Sequence, residues 1–384
     1  MSLTIFSFLM AFVWSSLFII AGAILLRRKS IVIYSYFYPL LFLTILSILR
    51  LIASFEMPFT KVIRSRVIYP KIMSFLDIIL LSFRGFTLRV STIFLTIWIA
   101  GIIIYWLRVA SRQIRFRKYT LSLNEAKDQR INSLLTQITG QSKSKIKVIL
   151  VPASYTASPI LTGLFRPVIY LPDISFTDTE LEYILRHELI HYLHKDLWIK
   201  ILLNIVISIF WWNPLMQILK KDANHLLELK SDLILVRNLS EEMRTQYLEV
   251  LLKVAKEVSI RNQSNEALLV GIGFINSGKE AQIMQRFHLI DRYKPLDKLH
   301  DITNRCVCSI MIITYLISFL FILQSYTDHP PDFNKSELFT IEEDNSYLID
   351  NKDGSYSLYS NGVYIIDIYD IANEPFSSLI IKNE

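Results

Sequence analysis

Four stretches of this chain are apolar for long enough to cross a bilayer, which takes about 20 residues of helix. Residues 4–26 and 31–49 contain no charge, 90–107 lies between Arg89 and Arg108, and 306–327 follows Arg305. Each predicts a membrane helix. The first lacks a basic leader and a small-residue cleavage site, and a second run follows at once, so it reads as a span and not as a signal peptide. A fifth apolar run, 201–219, is broken by Asn213-Pro214. Proline disrupts a helix interior but suits a first turn, with Asn as its N-cap. The pattern predicts one helix ending near Trp212, too short to span, and another starting at Pro214. The shorter piece belongs in the core or against the membrane.

Composition supports a membrane protein: 52% of the 384 residues are hydrophobic, and the mean hydropathy is +0.37. The formal charge of +7 is unevenly spread, because residues 325–384 hold 12 Asp/Glu against 3 Lys, a local −9 that leaves +16 for the rest. Basic bodies with acidic tails are found among nucleic-acid binders. Here the basic residues flank apolar runs, which argues for membrane topology and against direct contact with nucleic acid. Arg27, Arg28 and Lys29 follow the first run, and Arg108, Arg112, Arg115, Arg117 and Lys118 follow the third. Cytoplasmic loops are rich in Lys and Arg, so the N-terminus is expected outside, 108–305 inside and the acidic tail outside. The expected external loop 50–89 is also basic and opposes this orientation; the arginine-free tail decides it. Cys306 and Cys308 cannot form a disulfide framework and are expected to be small buried packing residues.

The chemistry lies between the third and fourth runs. Thr177 and Glu180 have capping-box spacing, and the helix they start contains His187-Glu188-Leu189-Ile190-His191. Residues four apart share a helix face. The two imidazoles can therefore bind one zinc ion, with Glu188 placed to take a proton from a zinc-bound water. A catalytic zinc usually has a third protein ligand. The helix from Pro214 offers Glu228, with Asp232 one turn on as an acceptor orienting a ligand histidine; His225 is the alternative ligand. Asp196 is expected to hold the helix end or a ligand histidine, His194 to lie on the surface, and Lys220 and Asp222 to form a solvated face. If 201–219 crossed the membrane, His191 and Glu228 would lie on opposite sides. Short β-rich runs at 146–151 and 167–171 suggest a small sheet whose edge could pair with an extended substrate.

Four blocks occur in order: Ser-Pro-Ile-Leu-Thr-Gly-Leu-Phe-Arg-Pro-Val-Ile-Tyr-Leu-Pro (158–172), His-Glu-Leu-Ile-His (187–191) with Lys-Asp-Leu-Trp (195–198), Trp-Trp-Asn-Pro-Leu (211–215) and Glu-Leu-Lys-Ser-Asp (228–232). Over roughly residues 1–325 the chain resembles the metallopeptidases of the bacterial β-lactam sensor-transducers, the Bla and Mec antirepressor type. The resemblance implies a membrane α-helical protein with four transmembrane helices. It implies a cytoplasmic α+β gluzincin-like zinc metalloprotease domain over 108–305. It implies His187, His191 and Glu228 as metal ligands and Glu188 as the catalytic residue. It also implies an extracellular sensor after the fourth span and cleavage of a transcriptional repressor, of the protein itself within 263–300, or of both. Asn276-Ser277-Gly278 reads as an exposed loop in that segment.

The tail departs from the family. Residues 328–384 contain no Ser-x-x-Lys nucleophile, so β-lactam acylation is not expected. Asn361-Gly362 between apolar runs at 356–360 and 363–369 predicts a hairpin, and Asp353-Gly354 another turn. This small β-rich extracellular tail would sense a cationic peptide, a metal ion or envelope stress through its charge, or serve only as an anchor or a contact with a second copy. The competing readings are a housekeeping membrane-protein quality-control protease and a non-catalytic sensor scaffold.

Overall fold

The computed structural model describes residues 5–27, 30–65, 68–83, 86–120, 129–140, 146–152, 158–266, 276–293, 298–325, 345–352, 355–368, 371 and 376–382. The fold is mixed α+β, in two compact units, Met1–Ser325 and Tyr326–Glu384.

In the first unit, α1 (Ile5–Leu26) and α2 (Ser30–Ile52) pack as an antiparallel hairpin. Strand β1 (Lys61–Ser65), helix α3 (Ile68–Leu76) and the hairpin β2 (Ile79–Phe83) and β3 (Phe86–Arg89) lead into α4 (Val90–Thr120). Helix α4 continues past Leu107 through the basic segment. Among the described residues, Phe6–Leu26 and Val90–Lys118 are helices long and apolar enough to cross a membrane, and Phe37–Ile52 is a shorter apolar one.

Helix α5 (Gln129–Thr139) precedes a three-stranded sheet of β4 (Lys147–Val151), β5 (Ile160–Thr162) and β6 (Val168–Pro172), ordered β4-β6-β5. The two β-rich runs are the parallel pair β4 and β6; β5, unread from the sequence, is an antiparallel edge strand. Next come α6 (Asp178–Leu193), α7 (Asp196–Ile209), α8 (Pro214–Val236), α9 (Glu241–Glu266) and α10 (Asn276–Asp291). Ile169, Leu171, Leu185, Leu229 and Ile290 are among the core residues that clamp α6, α8 and α10 to the sheet.

Three expectations are corrected. The fourth run is helical only as α11 (Lys298–Ile317), and β7 (Phe321–Ser325) pairs in parallel with β1. Arg50 of α2 accounts for the stop: it donates to Ser318 Oγ at 2.9 Å and to Ser318 O at 3.2 Å, and it stacks on Phe319. Cys306 is exposed and Cys308 half-buried, so neither is a buried packing residue. Asn276-Ser277-Gly278 opens α10 instead of forming a loop; Asn and Ser also signal helix starts. Within 263–300, residues 267–275 and 294–297 lie outside the described residues.

The second unit is a sheet ordered β10-β9-β8-β11, made of β8 (Ser346–Asp350), β9 (Tyr356–Ser360), β10 (Val363–Ile368) and β11 (Ile380–Lys382). Asn361 and Gly362 both have positive φ, as a two-residue hairpin turn of the primed type requires. Leu348, Leu358 and Leu379 form its core. The expected turn at Asp353-Gly354 lies outside the described residues.

Candidate metal centre

The site begins with a helix start. Thr177 Oγ1 accepts from the Glu180 amide at 3.2 Å, and the Glu180 carboxylate accepts from the Thr177 amide at 2.7 Å, so both halves of the capping box are present. Lys253 of α9 donates to the same carboxylate, which fixes α6 against α9. Two turns along, His187, Glu188 and His191 face inward and are buried.

Helix α7 starts at Asp196 after Lys195, whose φ is 57°. It runs to Ile209, and the chain reverses at Asn213, whose side chain accepts from the Leu215 amide at 2.9 Å. Helix α8 then returns past α6 and brings Glu228 to the histidines. His187 Nε2 and His191 Nε2 are 3.2 Å apart, Glu228 Oε2 is 3.4 Å from the first, and Glu228 Oε1 is 3.6 Å from the second. These three residues form a group whose ligand atoms lie within 4.8 Å of one another.

The second nitrogens of both imidazoles are engaged. His191 Nδ1 lies 2.7 Å from Asp196 Oδ2 and 3.1 Å from Ser231 Oγ, and Lys230 braces the other Asp196 oxygen. The Tyr247 hydroxyl donates to Asp232 Oδ1 at 2.7 Å and lies 3.0 Å from His187 Nδ1, so its oxygen is free to accept from that nitrogen. Arg286 of α10 donates to both Asp232 oxygens, at 2.7 and 2.9 Å, and its Nη1 is 3.5 Å from Glu228 Oε2. Once each Nδ1 carries its proton outward, the two Nε2 lone pairs converge on one point. Lone pairs 3.2 Å apart repel unless a cation lies between them. Tetrahedral zinc bonds of about 2.0–2.1 Å place ligand atoms roughly 3.3 Å apart. The donor set therefore fits zinc.

The electrostatics agree. Burial pulls the His191 imidazole down, but hydrogen bonds to Asp196 and Glu228 and the charges of Glu228 and Glu188 outweigh it and raise it to about 9. Burial also pushes up the Glu228 carboxyl, yet the two histidines and Arg286 hold it well below its ordinary value. Asp196 is likewise lowered, its burial offset by His191 and Lys230. Glu188 is the exception: burial dominates and raises it despite the nearby histidines.

A cleft of about 380 Å³ opens over these groups. His187, Glu188, His191, Glu228 and Arg286 line its floor, Val250, Leu251 and Val254 of α9 one wall, and Ser158–Leu161, including the start of the β5 edge, the other. The chain matches the family model of the BlaR1 peptidase M56 over residues 10–290.

The chain belongs to the BlaR1 peptidase family, M56.

Among curated relatives of this M56 chain, the regulatory protein BlaR1 of Bacillus licheniformis is 31% identical over 192 residues, covering 50% of this chain and 31% of the relative. The regulatory protein BlaR1 of Staphylococcus aureus is 25% identical over 274 residues (69% and 44%). The methicillin resistance mecR1 protein of the same species is 27% identical over 237 residues (59% and 39%). The chain thus spans less than half the length of these relatives.

Other expectations fare differently. His225 points away from the histidine pair and sits 2.7 Å from Gln285 Oε1. His194 is exposed. Lys220 and Asp222 are not a solvated face. Lys220 donates to Asn204 Oδ1 at 2.8 Å, and Asp222 is half-buried beside Phe18 and Leu40, because α8 packs on α1 and α2. Tyr247, Arg286, Ser231 and Lys230 escaped the sequence reading. Ser231 and Lys230 flank motif positions, but nothing in the local pattern marks Tyr247 or Arg286.

Proposed function

We propose that this chain is a membrane-embedded zinc metalloendopeptidase that passes an external signal inward by proteolysis of a cytoplasmic protein: a transcriptional repressor, the protein itself, or both. The observation that carries the reading is the convergence of His187 Nε2, His191 Nε2 and the Glu228 carboxylate at 3.2–3.6 Å, with each outer imidazole nitrogen held toward a carboxylate.

His187, His191 and Glu228 hold the metal in this reading. Bound there, zinc supplies a Lewis acid that polarises the scissile carbonyl and lowers the pKa of a water toward about 7. Glu188, raised by burial, takes the proton of the attacking water and passes it to the leaving nitrogen. Asp196 and, through Tyr247, Asp232 keep both imidazoles in the tautomer that leaves Nε2 free. The β5 edge offers main-chain groups to an extended peptide, and the apolar α9 wall excludes water around it.

The topology belongs to the same proposal. Residues 1–107 carry three spans, the segment from 108 to the start of α11 the cytoplasmic protease, α11 (Lys298–Ile317) the fourth crossing in place of 306–327, and 328–384 the external acidic unit. The meeting of helix ends supports it. Ser7 near the start of α1 donates to Ser54 O at 2.7 Å, just past α2. Arg50 near the end of α2 holds Ser318 after α11, and Thr60 donates to Phe319 O at 2.8 Å. These ends therefore lie on one side of the bundle, whereas Leu26 O, at the far end of α1, accepts from Gln285 of the protease unit at 3.0 Å.

The test is proteolysis in membranes. Wild-type protein yields cleavage fragments of itself or of a co-expressed repressor, and Glu188→Gln yields none at equal zinc content. Fragments from both at the same rate would remove Glu188 from the reaction.

A further inference from the structure

Helix α7 and the start of α8 make contacts that a cytoplasmic core hairpin does not need. Resting on the reading of α1 and α4 as membrane spans, we propose that 201–219 is a re-entrant hairpin. It dips from the protease side to about mid-bilayer and returns, and the exposed stripe Trp198, Ile199, Leu202, Ile205 and Trp212 faces lipid acyl chains.

Two spans independently place the tip of the hairpin at or beyond the middle of the bilayer. Helices α4 and α7 run antiparallel, with Tyr105 donating to Asn204 Oδ1 at 2.9 Å and Trp98 donating to Ile209 O at 2.7 Å. Between them Trp106 bonds Ser208 Oγ at 3.1 Å, and at the tip Trp211 donates back to Trp98 O at 3.2 Å. At 1.5 Å per residue, Trp98 lies about 12 Å from Val90 and about 14 Å from Leu107, midway along the apolar run of α4. Helix α1 gives the second measure. Phe210 stacks on Phe8 and Phe12 at 5.5 and 6.1 Å, and Trp212 lies 5.2 Å from Phe12. Both phenylalanines lie in the N-terminal half of α1, on the far side of its middle from Leu26. Whatever crosses the bilayer with α1 and α4 carries the tip of the α7–α8 hairpin with it.

Polarity agrees with that depth. Residues 201–219 hold no charge, and Lys200 and Lys220 bracket them. From Ile201 to Ile209 is about 12 Å of helix, and with the turn at 210–213 beyond it the hairpin reaches close to half of a hydrocarbon core of about 30 Å. On α7 the exposed residues Trp198, Ile199, Leu202 and Ile205 form one continuous stripe, and each is 40–46% exposed. The neighbouring face of α4 is also apolar and unburied, so the two form one surface.

The turn also satisfies its own backbone. Helix ends leave carbonyls without partners, and lipid cannot supply any. Here Trp98 takes Ile209 O, the Asn213 amide takes Phe210 O at 2.9 Å, and Asn213 Oδ1 accepts from the Leu215 amide at 2.9 Å. The Asn213 Nδ2 group has no partner among the described residues. Gly101 lets the helices approach this closely, since a Cβ there would lie 2.0 Å from Trp211 Cε2; small residues serve the same end between membrane helices. One consequence concerns substrate. Asp196, at the entry end of α7, lies about 20 Å of helix from Ile209 and contacts His191, so the cleft sits at the bilayer surface and cleaves chain close to the membrane.

The test uses full-length protein in liposomes, in a Cys306→Ser/Cys308→Ser background. A nitroxide is placed at Leu202→Cys, Ile205→Cys or Trp212→Cys, with Ile97→Cys and Ile103→Cys as markers of α4 and Glu242→Cys as an aqueous reference. Collision with oxygen and with a water-soluble nickel chelate is measured by electron paramagnetic resonance. The proposal expects high oxygen and low nickel access on α7, as at the α4 markers, with depth increasing from 202 to 212. Nickel access like that at 242, with the α4 markers still lipid-like, overturns the hairpin and leaves the spans intact. Low access to both reagents on α7 means protein covers the stripe and also overturns it. Nickel access at the α4 markers as well overturns the spans and the hairpin together.

Discussion

Replacing Asp232 by Asn tests the electrostatic frame around the histidines. The Asp232 side chain is fully buried and accepts three hydrogen bonds, from Tyr247 at 2.7 Å and from Arg286 at 2.7 and 2.9 Å. Asparagine keeps the shape but loses the charge, and its amide cannot accept from both Arg286 nitrogens. Breaking a buried ion pair from one side costs about 3–5 kcal/mol. Glu228 Oε2, 3.5 Å from Arg286 Nη1, is a substitute partner, which puts the expected cost at the low end, about 3 kcal/mol. That substitution has a second effect: an arginine drawn to Glu228 competes with the metal for the carboxylate. Outer partners of metal ligands are worth about 10–100-fold in affinity, and this one should fall near the top. The assays are zinc competition against a chelator of known affinity and pulse proteolysis of the zinc-free protein in urea. The double variant Asp232→Asn/Arg286→Met carries no buried cation and should recover most of the stability, while its zinc affinity stays about tenfold low because the Tyr247 hydroxyl that accepts from His187 Nδ1 no longer donates to a carboxylate. If the single variant binds zinc within about threefold of wild type, against the loss expected of an outer partner, or the double is no more stable than the single, Asp232 does not hold this frame.

Three further outcomes are expected from the same geometry. Asp196→Ala should weaken zinc binding about 10–100-fold, whereas His225→Ala should leave it unchanged; the same competition titration checks both, and the opposite ranking would make His225 the ligand. Zinc uptake should release about one proton at pH 7, because zinc-free His191, raised to about 9, must lose its proton to bind; calorimetry in buffers of different ionisation enthalpy measures this, and an absence of release would contradict the raised value. The same group sets a stability trend for the zinc-free protein. A raised folded value gives stabilisation that is complete below about 6.5 and is lost as pH rises through about 9; urea midpoints across that window test the direction.

What the sequence disclosed depended on how local each feature is. The Thr177/Glu180 capping box, the spacing of His187 and His191 and the Asn361-Gly362 turn are encoded within a few residues, and the structure reproduces each. The break at Asn213-Pro214 was equally local, but the depth of the hairpin it creates depends on Trp98 and Phe210 meeting partners across the fold. Tyr247 and Arg286 come from α9 and α10, and their importance exists only once Asp232 is between them. The end of α11 was misplaced for a similar reason. The apolar run continues to Thr327, but Arg50, 268 positions earlier, claims Ser318, and the strand at 61–65 pairs with Phe321–Ser325.

The metal is the deciding component. Zinc content should be measured in detergent-purified wild type, Glu228→Ala and Asp222→Ala, together with self-cleavage by wild type and Glu188→Gln. We expect about one zinc per chain in wild type and Asp222→Ala, far less in Glu228→Ala, and fragments from wild type but not from Glu188→Gln. Equal zinc in all three, or zinc-free and intact wild-type protein, would contradict the zinc peptidase reading.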